Sequence, residues 1–450
     1  MIMPLPSAAP PVSPHLSEWQ LFRKLLPASI LNDLDPAAPQ AAYTPWIVTW
    51  LMIFQRLHGN ASLNDAAAEF ALRFPAQALP DCKRAREGIL SVNSGSYSLA
   101  RSRLHTRVLH WAVTNVFDSL IGAFPPSWRD RRAFLIDGST LQLPSTPGLR
   151  AAFPPARNQH GDSHWPILHL AVAHELASGL AVVPEVGPMY GPEAVAEVTL
   201  ARRLLARLPA RSILLADRNF GIFAFAHAAV AAGHDVLLRL TQSRFTALRQ
   251  QARPDGVGRW VVEWRPSRWD RKRHPDLPAD ATIKGWLHEV RVSDTLILWL
   301  FTTAAASGEE MAALYGQRLH VETDIGDLKG ILKLDELRGR STDVVEKELL
   351  AGVLAYNLAN QVRRLAAARL QIEPRRLSFA GVWSLLKAFM AGLLENKTPA
   401  EAEVEFERLL RAAGQRKLPR RPKGRSYPRE VIPRRRKFPE RKHTQSPPSK

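Results

Sequence analysis

Hydrophobic positions change their period near residue 132. From about residue 17 to residue 128 they keep helical spacing: Trp19, Leu21 and Phe22, then residues 46–54, then 66–72, with loops at 36–39 and 91–98. This predicts several short helices. Beyond Arg132 come three apolar runs of strand length, 133–136, 166–173 and 179–186, with turn residues near their ends. An amphipathic helix (192–208), a buried strand (212–216), a helix (222–232) and a strand (235–240) follow. Three strands, then helix, strand, helix, strand, is the order of an α/β layer on a mixed sheet. Residues 243–307 interrupt it with Trp260, Trp264, Trp269, Trp286 and Trp299, a charged loop at 268–274 and an apolar run at 296–301, and read as a β-rich insertion. Helices resume over about 308–368 and 377–392. The predicted organisation is a helical N-terminal domain (1–130), a core in two parts (131–242 and 308–395), the insertion between them (243–307), and a C-terminal helix with a tail (396–450).

Charge adds a partner. The 450 residues hold 61 Lys and Arg against 42 Asp and Glu, a net charge of +19, and such an excess points to a polyanion. It is concentrated at one end. The last 35 residues carry 14 Lys and Arg, two Glu and seven Pro, so +12 of the +19 lies there. With almost no aliphatic residues, this tail buries too little surface to offset its ordering entropy and reads as a disordered basic arm for phosphate backbones, or as a merely solvated tail. Arg101, Arg103 and Arg107 mark either a DNA-binding module or a structural cap in the helical region. A single cysteine, Cys82, excludes an internal disulfide framework and a thiolate zinc cluster, in keeping with a reducing, cytoplasmic setting. The proline-rich start lacks the basic region of a signal peptide, and no apolar run is long enough to span a bilayer, so no membrane role is expected.

Carboxylates supply the chemistry. Asp137 ends the first core strand in Ile136-Asp137-Gly138-Ser139-Thr140, and Asp217 ends the later buried strand in Asp217-Arg218-Asn219-Phe220. Carboxyl ends of strands are where α/β sheets present ligands. At about 100° per residue, Tyr315, Arg318, Glu322 and Lys329 lie within about 60° of one another on one helix face about 21 Å long, whereas Asp324 and Asp327 point elsewhere. A carboxylate flanked by Arg, Lys and Tyr suits a hard cation with phosphates on either side. Three carboxylates on two strands and a helix suit two Mg2+ ions about 3.5–4 Å apart, the arrangement of in-line phosphodiester displacement, with Mn2+ as the expected substitute.

These residues resemble a known family. Asp137, Asp217 and Glu322, with the spacing of Tyr315, Arg318, Glu322 and Lys329, are similar to the DDE transposases of bacterial insertion sequences, specifically the IS family four group with its Tyr-Arg-Glu-Lys signature. The resemblance implies a ribonuclease-H-like core interrupted by a β-rich insertion, for which the 104 residues between Asp217 and Glu322 leave room. It implies that Asp137, Asp217 and Glu322 are catalytic metal ligands and that Tyr315, Arg318 and Lys329 contact DNA phosphates. It also implies cut-and-paste transposition through a hairpin, acting on double-stranded terminal inverted repeats and target DNA, as a homodimer in the synaptic complex and associated with the nucleoid. A hairpin strains its terminal base, which makes Trp260, Trp264, Trp269 and Trp286 candidates for base stacking.

Other chemistries find less support. Leu135 stands where an aspartyl-phosphate enzyme needs its first aspartate. His169 and His174 fall on opposite sides of one strand, which argues against a metal cluster with His160 and His164. No phosphate-binding glycine loop or dinucleotide fingerprint occurs. The remaining alternatives are a catalytically silent DNA-binding descendant and a Mg2+-dependent nuclease without strand transfer.

Overall fold

The computed structural model describes residues 25–38, 40–73, 79, 81–123, 125–159, 161–294, 296–393 and 399–419. The expected helix around Trp19 to Phe22 and most of the basic tail lie outside them. The chain divides into two units, Met1–Lys417 and Leu418–Lys450, and every helix and strand among the described residues belongs to the first.

Among the described residues six helices precede the sheet: α1 (Ala28–Leu34), α2 (Pro45–Leu57), α3 (Leu63–Arg73), α4 (Lys83–Arg86), α5 (Gly95–Arg103) and α6 (Thr106–Ile121). Helix α2 starts where Thr44 accepts a hydrogen bond from the Ile47 N–H and Pro45 takes the first turn, where no intrahelical donor is needed. Every residue of α2 is buried, so it is an interior helix. The basic residues of this region serve packing as well as charge. Glu348, 2% exposed, pairs with Arg56 at 3.3 Å and Arg101 at 3.2 Å, and Arg107 donates to the Leu34 carbonyl. Arg101 is thus withdrawn from the DNA-binding role its sequence position allowed.

Ten strands form one sheet in the order β2-β3-β1-β5-β6-β10-β9-β8-β7, with β4 on β3. Strand β1 (Ala133–Gln142) lies between antiparallel β3 (Gly161–Glu175) and parallel β5 (Ile213–Ala216), and β6 (Asp235–Arg239) runs parallel to β5. Strands β2 (Pro155–Asn158) and β4 (Glu185–Pro188) pair antiparallel with β3. Helices α7 (Pro147–Ala152), α8 (Glu197–Leu204) and α9 (Phe223–Ala231) connect them. Buried on both sides, β1 and β5 read as unbroken apolar runs before their aspartates.

Two expected elements differ. The strand anticipated at 179–186 begins only at Glu185. Asn357 takes both the N–H and the C=O of Ala181 at 2.9 Å each, so a side-chain amide replaces part of the strand ladder there. The helix anticipated at 192–208 is confined to α8 and a 3-10 turn at Leu205–Arg207, because residues before it turn back, with the Val195 N–H bonded to the Pro188 carbonyl.

The tryptophan-rich stretch extends the same sheet. It contains α10 (Gln242–Arg249), α11 (Arg268–Arg273) and strands β7 (Arg253–Pro254), β8 (Arg259–Trp264), β9 (Ile283–Ser293) and β10 (Leu296–Thr302). Strand β10 pairs antiparallel with β6 through Phe301 and Leu238, so the four strands cover an edge that β6 would otherwise expose. Helices α12 (Gly308–Gly316), α13 (His320–Gly326), α14 (Thr342–Arg369), α15 (Phe379–Leu393) and α16 (Pro399–Gly414) complete the unit. Helix α14 is its central pillar: 28 residues long, capped by Ser341, with 21 residues buried. Among the described residues no helix is long and apolar enough to cross a membrane.

Candidate active site

Strand register brings the two aspartates together. Ile136 pairs with Ala216 across parallel β1 and β5, so Asp137 and Asp217, one position further on, lie side by side on the same face, about 4.8 Å apart at their backbones. Asp217 follows the end of β5, but Asp137 sits midway along β1 and does not end it, because pairing with β3 carries the strand on to Gln142. Asp137 accepts the Gly138 N–H at 2.9 Å, and Asp217 accepts the Asn219 N–H at 2.8 Å. Burial pushes the Asp137 carboxyl above its ordinary value. The Gly138 N–H and Arg318 oppose that rise, and the charge of Asp217 adds to it.

The third element is not the continuous helix that a constant angle per residue predicts. Helix α12 stops at Gly316, a 3-10 turn spans Gln317–Leu319, α13 follows, and a π turn covers Asp327–Ile331. Gly316, Gly326 and Gly330 sit at or inside these changes of winding, where their low helix propensity lets the pitch change. Three of the four signature residues still face β1. Arg318 bridges Asp137 at 3.2 Å and Glu322 at 3.1 Å, and Lys329 donates to the Ser139 hydroxyl at 3.2 Å and the Thr140 carbonyl at 2.9 Å. Tyr315 departs from the expected DNA-contacting position: it is 7% exposed, and burial raises its hydroxyl to about 12 despite the nearby Arg318. It backs Arg318 from the interior.

Asp324 points away from this face, in keeping with its helical angle. It is buried and held by Arg375 through two hydrogen bonds of 2.9 and 2.8 Å. This pair anchors the back of α13 while Glu322, on the front, stays 60% exposed.

Sequence reasoning missed a fourth carboxylate. Glu197 opens α8, and its side chain lies against Gly138 so closely that a Cβ there would collide with its Oε1. Burial, then the charges of Asp137 and Asp217, push its carboxyl up to about 7, against the Gly138 N–H. The signal was present but ordinary: a Glu in the first turn of the helix before the Asp217 strand also reads as a helix-dipole residue.

All these donors are carboxylate oxygens, and the crowding of Asp137, Asp217 and Glu197 is the electrostatic situation a hard divalent cation relieves. Their chemistry fits Mg2+ or Mn2+. Among the described residues no three acidic, His or Cys side chains stand close enough to hold one ion, and Glu322 is turned onto Arg318. Of the candidate histidines, His169 meets the Val195 carbonyl and His174 is buried beside the Gly179 carbonyl, while His160 lies outside the described residues.

The tryptophans separate by environment. Trp264 is 3% exposed, edge-on to Phe223 and Phe301, and belongs to the core, so it offers no face to a base. Trp260 lies under Arg249, and Trp286 bonds Asp255 and lies under Arg259. Trp269 alone among the described tryptophans is exposed, at 68%, with Lys272 and Arg273 over its ring. Its helix α11 is linked toward the site. Asp270 acts electrostatically on Arg244, which bonds the Gly221 carbonyl four residues beyond Asp217, and the nearby Asp276 accepts from Arg202 of α8.

Comparison with known proteins places the chain in a family. Residues 128–358 match the family described as the transposase DDE domain. The chain is 27% identical over 347 residues, 76% of each protein, to the Escherichia coli (strain K12) protein described as transposase InsG for insertion sequence element IS4. The matched segment begins just before β1, ends within α14, and contains Asp137, Glu197, Asp217, Arg318, Glu322 and Lys329, so the chain belongs to the DDE transposases, in their IS4 family.

Proposed function

We propose that this protein cuts an insertion sequence from double-stranded DNA at its terminal inverted repeats and joins it to target DNA, with Mg2+ as cofactor and Mn2+ as substitute. The observation that carries the reading is the convergence of Asp137, midway along β1, and Asp217, just past the end of β5, with Glu322, Arg318 and Lys329: donors for a cation and cations for phosphate in one place. The order β4-β3-β1-β5-β6, with β5 and β6 parallel to β1, supports a ribonuclease-H-like core.

Bound divalent ions supply charge neutralisation at the scissile phosphate. The side chains supply the rest. Arg318 spans Asp137 and Glu322 in the free protein; an incoming phosphate competes for its guanidinium, and the released carboxylates become available as ligands. Lys329, fixed over β1 by Ser139 and Thr140, places a second positive charge beside the same phosphate. Tyr315 keeps Arg318 from swinging inward. After hydrolytic nicking, the freed 3′-hydroxyl attacks the opposite strand; a new phosphodiester closes the hairpin and the flanking DNA leaves with its own 3′-hydroxyl. The strained end base stacks on Trp269, the exposed ring with basic neighbours.

In this reading the helices before β1 contact the terminal repeats, the tail grips DNA without sequence preference, and two copies hold the two ends. The protein works in the cytoplasm, on the nucleoid. The test is to incubate purified full-length protein with its own element's ends and Mg2+ and to map the products. Nicks at the element boundary followed by hairpins support the proposal. Cuts scattered along the DNA, or binding without cleavage, refute it.

A further inference from the structure

Strand β8 ends at Trp264 and β9 begins at Ile283, and the chain between them makes an excursion that carries α11 and Trp269. Polar bonds close it on itself. Ser267 and Asp270 form a capping box at the start of α11, and the Arg271 guanidinium donates to the Pro278 and Ala279 carbonyls at 3.0 and 2.8 Å. Its apolar anchorage is slight: of the described residues 267–280 only Leu277 is buried. Outward, Asp276 accepts a hydrogen bond from Arg202 at 2.6 Å. Arg202 belongs to α8, which packs on β1, β3 and β4, whereas β5, β6, β10 and β9 separate β1 from β8 in the sheet. The ion pair thus joins an excursion from the far side of the sheet to a helix seated on the strand of Asp137. The neighbouring Arg203 and Arg207 turn instead to Glu185 of β4.

We propose that Arg202 is a positioning residue: through Asp276 it holds the α11 excursion toward the site and sets Trp269 where the terminal base of the hairpin arrives. The inference rests on the reading of Trp269 as the stacking platform. A platform ordered beforehand spares the cost of fixing it when the base arrives, a cost that would otherwise be subtracted from the stacking free energy. Lys272 and Arg273 lie over the Trp269 ring within the excursion, so the ring and its cations move as one piece. Asp276 is the point at which α8 steers that piece. The paired side chains are 29% and 54% exposed, which makes the strut modest in strength and sensitive to salt. Its loss shifts hairpin closure without unfolding the unit.

The test is charge reversal in the full-length protein: Arg202→Glu, Asp276→Arg, the double variant that rebuilds the pair in reverse, and Trp269→Ala for reference. Two quantities are read: the ratio of hairpin to nicked product on terminal-repeat DNA in Mg2+, and the rate of chymotrypsin cleavage after Trp269 without DNA. Each single variant is expected to lower the ratio by roughly two- to five-fold, the worth of an exposed ion pair, and to be cleaved faster. The double variant recovers both. A residue that serves only the folding of α8 lowers the melting temperature and is not rescued by the reversed pair. A parental value of either quantity in the single variants, or a double variant no better than the singles, overturns the role of Arg202. If Trp269→Ala then lowers hairpin yield, the platform reading stands without the strut. Parental hairpin yield in Trp269→Ala overturns the platform reading, and the proposal with it.

Discussion

Replacing Arg375 with Met isolates the anchor behind Glu322. Arg375 donates two hydrogen bonds to Asp324 at 2.9 and 2.8 Å and a third to the Leu176 carbonyl at 2.6 Å, and the paired side chains are 10% and 1% exposed. Burial penalises the Asp324 carboxylate, but the charge and hydrogen bonds of Arg375 outweigh that and hold it below its ordinary value of 3.8. Removing the guanidinium strands a buried charge, which costs about 3–5 kcal/mol. The double variant Arg375→Met, Asp324→Leu removes the stranded charge and recovers most of that loss. Urea titrations at pH 7 give the comparison. Sign follows from linkage: a depressed carboxyl pKa contributes stability that is present above the unfolded value and lost as pH falls through the folded one. The gap between parent and single variant therefore closes below about pH 4. His174, 3.9 Å from Asp324, is the nearest substitute partner, but burial lowers its pKa and keeps it neutral at pH 7. Because Asp324 and Glu322 share α13, the single variant also loses DNA nicking. Equal losses in the single and double variants, or a gap independent of pH, would refute the stranded-charge argument.

Other perturbations give equally definite outcomes. Burial, then the Asp324 charge, raises the Asp327 carboxyl to about 7, so its ionisation opposes folding as pH rises from 4 to 7; Asp327→Asn should stabilise the protein at pH 8 by on the order of 2–4 kcal/mol and leave it unchanged at pH 3.5, as read by denaturant midpoints. Trp269→Ala should leave stability and first-strand nicking intact and reduce hairpin yield, whereas Trp264→Ala should cost about 3–5 kcal/mol of stability in the same urea titration. Truncation after Lys417 should flatten the salt dependence of non-specific DNA binding, measured by fluorescence anisotropy across a salt series.

Much of the site is legible in the sequence because strands obey simple rules. Apolar runs buried on both faces end at Asp137 and Asp217, and two such strands in parallel register set the aspartates side by side. Helical spacing also identifies which acids near Glu322 turn away, and Asp324 does so. It misjudges the path. A constant pitch does not hold where a 3-10 turn and a π turn occur, and Tyr315, set before the first of these, faces inward instead of outward. Glu197 is hidden for a different reason. Its partners are 59 positions before it and 20 after it in the chain, and nothing local distinguishes it from other first-turn glutamates. The interruption before β4 likewise depends on Asn357, 176 positions from Ala181. Contacts of that separation are set by packing, which no local period records.

The central claim is that Asp137, Asp217 and Glu322 act as one unit on phosphodiester bonds at the element's ends. The most direct measurement is cleavage of end-labelled terminal-repeat DNA in Mg2+ by the parent and by Asp137→Asn, Asp217→Asn and Glu322→Gln, each first verified to bind that DNA. The account predicts that all three bind and that none nicks or forms hairpins above background. Nicking at the parental rate by any one of them would contradict it.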